Sequence, residues 1–104
     1  MNAKELIGKK VIIRADRAGV FFGTLNDVQH TAAGTEVELH NSRRIWRWDG
    51  AASLSQLATE GTKNPAGCNF TVIVPQHIVM QVIEIIPCSS DAVKSIEAVK
   101  IWKR

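Results

Sequence analysis

TEVELHNSRRIWRW, Thr35 to Trp48, is the stretch on which the architecture turns. Its first half alternates: Val37 and Leu39 point one way, Glu36, Glu38 and His40 the other, as in a half-buried strand. Asn41 and Ser42 favour a tight turn, after which RRIWRW reads as a further strand. In an extended chain Arg44, Trp46 and Trp48 share one face, and Arg43, Ile45 and Arg47 share the other. At most one of these sets should face a ligand within a subunit if the strand is regular.

Upstream, KKVIIRAD places Val11, Ile13 and Ala15 on one face, and VFFGTL continues the same rhythm. Phe21 goes with Gly23 and Leu25, Phe22 with Val20 and Thr24, and both phenylalanines are expected in the core. DRAG between these runs is a turn or a bulge, because Gly19 tolerates backbone shapes that a side chain opposes. HTAAGTE is a second turn, which makes FFGTLNDV and TEVELHN the arms of an antiparallel hairpin.

Downstream the period changes. Ser53 and Gln56 offer a capping box, Leu54, Leu57 and Ala58 an apolar stripe, and Gly61 a stop, so a short helix is expected at Ser53–Glu60. Thr62–Asn69 is turn-rich and reads as a long exposed loop. FTVIVP follows as a strand with Phe70, Val72 and Val74 on one face, and HIVMQVIEIIPC as a single central strand. Ser89 or Ser90 caps a last helix through Lys100, with Ala92, Ile96 and Val99 buried and Trp102 over the core edge. Asn2 and Glu5 cap one short turn at the start.

This order makes a small antiparallel α+β fold with two or three short helices, whose sheet could close into a barrel. With 104 residues and 45% hydrophobic content, the chain suits one domain spanning 1–104. It lacks a signal-peptide pattern, and its most apolar run, HIVMQVIEII, is too short and too interrupted to span a membrane. Cys68 and Cys88 form no CxxC pair, so a cytoplasmic protein with reduced thiols is expected, Cys88 the more buried and Cys68 the more exposed.

No sequence motif for catalysis or metal binding is present: HExxH, a Walker loop and GxSxG are all missing, and the three histidines lack ligand spacing. A non-enzymatic role without cofactor or metal is the expectation. The net charge of +3 is compatible with anionic partners but small for a protein that wraps a long duplex. Arginine's planar fork matches phosphate oxygens, and an indole offers a stacking surface to a base. RADRAGVFFG and SRRIWRW therefore suggest a pocket for a small phosphorylated ligand, with Arg14, Arg17, Gly19, Arg43, Arg44 and Arg47 as anion partners and Trp46 and Trp48 as base platforms. The alternatives are a single-stranded nucleic-acid surface, a protein-interaction module anchored by the same side chains, or simple burial of the indoles under arginine stems.

The elements RxxxAGVxxGxL, from Arg14 to Leu25, and RRxWxWxGAxSLxxLAxxG, from Arg43 to Gly61, followed by VIEIIPCSSDAVKSIEAVKIWK, resemble a family of small, poorly characterised proteins of bacteriophages and prophages. That resemblance covers nearly the whole chain and carries no catalytic residue. It implies a phage setting in which the protein is similar to sponges that sequester cyclic nucleotide signals of bacterial defence. It also implies a closed homo-oligomer in the host cytoplasm.

Overall fold

A computed structural model describes all 104 residues. A 3-10 turn at Ala3–Leu6, capped by Asn2, leads into β1 (Lys10–Ala15), β2 (Gly19–Thr31) and β3 (Gly34–Arg47). Then come α1 (Leu54–Glu60), a 3-10 turn at Pro65–Gly67, β4 (Asn69–Phe70), β5 (Val74–Val79), β6 (Val82–Pro87) and α2 (Ser90–Glu97). Both helices start where their caps stand: Ser53 Oγ accepts from Gln56 N at 3.1 Å and Ser89 Oγ from Ala92 N at 3.0 Å.

The strands form one six-stranded antiparallel sheet in the order β4-β3-β2-β1-β6, with β5 also paired to β3. Laid flat, β5 and β6 would stand four spacings apart, about 19 Å. The link Met80–Gln81 spans at most about 11 Å, so the sheet must curl. It does not close into the barrel that the strand pattern allowed, because β5 pairs with β3 and β6 with β1, and no ladder joins them. Gln81 fixes this corner at φ 57°: its carbonyl accepts from Asp16 N at 2.8 Å, and its Nε2 donates to Ala33 O at 2.9 Å. The run HIVMQVIEIIPC is thus two strands and not one. The break is invisible to periodicity, since its cause is contact with two turns far away in sequence.

FTVIVP is also divided. Asn69–Phe70 joins β3 as β4, Thr71–Ile73 lie between the ladders, and Val74, its side chain exposed, opens β5, which pairs with β3 again opposite Ser42. Pro75 sits in β5, a strand paired on one side alone, where its missing N–H leaves no partner unsatisfied.

β3 is one continuous strand, and the turn expected at Asn41–Ser42 is a bulge. Phe22 pairs with Arg43 and Thr24 with His40, so Gly23 opposes both Asn41 and Ser42. Asn41 takes φ 53°, which absorbs the extra residue. The bulge inverts side-chain parity. Val37 and Leu39 enter the core inside the curl with Val11, Ile13, Phe21, Leu25 and Val79, whereas Ile45 joins Ile12, Phe22, Leu57, Phe70 and Ile96 beneath the helices.

The bulge brings backbone so close to Gly23 that a Cβ there would lie 3.1 Å from Ser42 Cα and 3.2 Å from His40 O. Both are main-chain atoms in the middle of a ladder and have little room to yield. Gly23→Val is expected to destabilise the protein by about 1–3 kcal/mol, read as a lowered urea midpoint. A Gly23→Val variant as stable as the native chain would mean that the bulge is not held as described.

Candidate functional site

Strand alternation sends the two arginines at the start of RRIWRW in opposite directions, and the parity inversion decides which of them goes under the helices. Arg43 points under the helices and is 4% exposed. Its Nε donates to Thr71 O at 3.1 Å, Nη1 to Ile96 O at 3.2 Å, and Nη2 to Phe70 O and Lys100 O at 3.1 and 3.3 Å. The guanidinium also lies 5.5 Å from the Phe70 ring centroid. Arg43 is in no ion pair, and the buried charge is balanced by carbonyl dipoles, one of them in the last turn of α2, where the helix end is electronegative. Burial lowers the Arg43 pKa from its ordinary value. Arg43 therefore clamps β3 to β4 and to the segment after α2, and its donors are not available to a ligand phosphate.

Arg44 points the other way, its guanidinium 4.5 Å from the Phe21 ring centroid and its Nη1 donating to Ala18 O in the β1–β2 turn. Its Nε and Nη2 have no protein acceptor. The turn itself is shaped by two left-handed residues, Arg17 at φ 66° and Gly19 at φ 103°. A Cβ on Gly19 would come within 3.7 Å of Arg44 Nη1, so the turn backbone and this guanidinium are near neighbours.

Between them lies an open cavity of about 290 Å³, lined by Arg17, Ala18, Gly19, Val20, Arg44, Ile45, Trp46 and Trp48. Five of the eight residues singled out from sequence meet here: Arg17, Gly19, Arg44, Trp46 and Trp48. Arg14 does not; it turns to β6 and pairs with Glu84 at 3.1 Å. Arg47 is exposed beside β4, away from the cavity, and Arg43 is the buried clamp. Ala18 in the turn and Val20 and Ile45 in the strands complete the lining; small or apolar side chains, they carry no chemical flag in the sequence.

The indoles divide as well. Trp48 is half-buried against the helix-side core, while Trp46 is 67% exposed. Trp102, expected over the core edge, is 44% exposed and stacks on Trp46 with ring centroids 6.4 Å apart and planes 10° from parallel. Burial of the whole aromatic cluster under arginine stems does not occur.

A second cavity, about 310 Å³, lies between Lys10, Phe22, Asn41, Arg43, Ile73, Glu97, Val99 and Ile101. Its cations are committed, Lys10 to Glu97 at 3.2 Å and Arg43 to carbonyls, so it offers an anion less. The histidines are dispersed: His30 bonds Thr35, His40 bonds Glu38 at 2.7 Å, and His77 Nδ1 bonds the Ser42 hydroxyl at 3.0 Å. The thiols reverse the expected exposure. Cys68 is buried with Asp49 N donating to its Sγ at 3.4 Å, because the loop from Thr62 folds back over the helix-side core. Cys88 is half-buried, unbonded to Cys68, and burial pushes its pKa up to about 12. No helix is long and apolar enough to cross a membrane.

These features define a small α+β protein whose curled antiparallel sheet carries an arginine- and tryptophan-lined cleft on its β2–β3 side. The chain belongs to the family described as Domain of unknown function (DUF6948), whose model matches residues 8–96. No curated protein and no solved structure matches it.

Two outcomes follow from the geometry. Arg43→Ala leaves backbone carbonyls without their donor and opens a hole beside Phe70, at a cost of about 3 kcal/mol. Arg47→Ala, at an exposed position, should stay within about 0.5 kcal/mol. Urea denaturation of the two variants checks the contrast, and equal effects would remove the clamp.

His77 has its pKa lowered, first by burial and then by the Arg44 charge. The folded state therefore binds fewer protons than the unfolded chain. Its contribution is intact above the ordinary histidine pKa of about 6.5 and is lost as pH falls below it. Native protein should thus lose more stability than His77→Gln between about pH 7 and 5, an acid-side window set by that same pKa. Parallel pH profiles for the two proteins would refute the assignment.

Proposed function

We propose that this protein binds a phosphorylated nucleotide-like ligand, without transforming it, in the cleft between the Asp16–Ala18 turn and the second half of β3. One observation carries the reading: two sequence segments far apart in the chain line one cavity in which cationic donors lie next to an exposed indole. Arg17 is exposed and in no ion pair, and Arg44 keeps Nε and Nη2 unspent, so two guanidinium groups are ready for phosphate oxygens. Trp46 offers the stacking surface, and Gly19 lets turn backbone approach the ligand without a side chain in the way. Holding Arg44 over Phe21 and against Ala18 O fixes its orientation before ligand arrives, which lowers the entropy lost on binding.

The cavity's 290 Å³ is at the small end of ligand sites, the scale of one nucleotide unit. The residues around it include no positioned acid–base pair, which favours capture over turnover. The bacteriophage resemblance gives capture a use: sequestration of a cyclic signalling nucleotide of bacterial defence, as a counter-defence protein. A second reading, binding of single-stranded nucleic acid, draws support from the exposed Trp46–Trp102 pair.

Calorimetry with AMP, cyclic mononucleotides and cyclic dinucleotides tests the proposal. Arg44→Ala and Trp46→Ala should each weaken binding about ten-fold or more, equivalent to about 1.4 kcal/mol, while Arg14→Ala, already paired with Glu84, should change little. Affinity should fall only gently with salt, since few phosphates are engaged. Binding indifferent to both Arg44 and Trp46, or a steep salt slope that grows with oligonucleotide length, would displace the pocket in favour of another surface.

A further inference from the structure

Trp46 and Trp102 belong to neither core cluster, yet they are fixed against each other. The Trp102 backbone is anchored: its N–H donates to Phe70 O at 2.9 Å, and Ile101 forms a parallel bridge with Phe70. Arg43 reinforces the anchor by donating to Phe70 O and Lys100 O on either side of it. Trp102 is thus a held aromatic surface whose exposure the packing does not require.

Trp102 also lines a hollow of about 330 Å³ with Thr71, Val72, Lys103 and Arg104. Lys103 and Arg104 are exposed and take part in no ion pair. Trp46 lines the β2–β3 cavity on its own side. The stacked indoles therefore bridge two hollows, each bordered by unpaired cations: Arg17 and Arg44 at one, Lys103 and Arg104 at the other.

Resting on the nucleotide reading above, we infer that the site continues from Trp46 onto Trp102 and selects a ligand with two bases joined through phosphate. One base stacks at Trp46 with its phosphate toward Arg44 and Arg17. The second stacks at Trp102, and the phosphate beside it meets Lys103 and Arg104. Each indole keeps one face for a base, since its other face is turned to its partner. Each stacked base adds affinity largely regardless of its identity, so the device reads the number of units more than their sequence.

The test is calorimetry of native protein, Trp46→Ala, Trp102→Ala and the double variant Lys103→Ala/Arg104→Ala, titrated with AMP, the linear dinucleotide pApA, and oligo-dA of four and eight units. Far-UV circular dichroism and melting verify folding, and Trp102→Phe serves as a conservative variant that keeps a stacking ring. Expected results are pApA binding about ten-fold tighter than AMP and little gain beyond the dinucleotide. Trp102→Ala and the double variant should bring pApA down toward AMP while leaving AMP unchanged, with Trp102→Phe intermediate.

Equal affinity for AMP and pApA, or pApA binding unaffected by Trp102→Ala, overturns the extension while the single-nucleotide cleft stands. Absence of binding to both AMP and pApA overturns the cleft and the extension together. A continuing rise from four to eight units, with salt dependence rising in step, overturns the two-unit limit in favour of a single-strand track.

Discussion

One extra residue in β3, opposite Gly23, sets the arrangement of everything around it. Before the bulge at Asn41–Ser42, the inward side chains of β3 fill the hollow of the curled sheet; after it, the same sequence parity faces the helices. A regular strand would have turned Arg43 and Ile45 into the curl and left the helix-side core without its β3 contribution. A single 14-residue strand thereby serves two apolar clusters, which is how a short chain builds a sheet buried on both faces over much of its area.

The same inversion decides which of two neighbouring arginines becomes structural. Arg43, carried under α2, gathers carbonyls from β4, from the last turn of α2 and from the segment after it. A lysine has no fork with which to reach several acceptors at once, and a neutral side chain leaves those dipoles uncompensated. Arg44, one residue on, is carried to the other surface, where it rests on Phe21 and touches the β1–β2 turn. The strain of left-handed Arg17 sits at that turn, beside the cleft, in keeping with the tendency of such conformations to occur where a surface is shaped for contact.

Two aromatic surfaces follow from the clamp. By fixing Phe70 and Lys100, Arg43 holds the Ile101–Arg104 segment so that Trp102 lies against Trp46. The buried charge and the exposed indole pair are thus parts of one arrangement: the first determines where the second stands.

Much of the local structure was legible in the sequence because its causes are local. The caps at Asn2, Ser53 and Ser89, the β2–β3 hairpin, and the assignment of Phe21 and Phe22 to opposite faces follow from residue type and spacing. Strand parity also separated Arg44, Trp46 and Trp48 from Arg43, Ile45 and Arg47. Only tertiary structure decided that Arg43 and Ile45 are buried while Trp46 is exposed, because that depends on a bulge whose determinant, the space left by Gly23, lies on the neighbouring strand. For the same reason HIVMQVIEIIPC splits at Gln81, Cys68 is covered while Cys88 is half-open, and Arg14 is drawn to Glu84. Side-chain period is a property of one strand, whereas register, curl and the acceptors available to a buried guanidinium are properties of strands brought together.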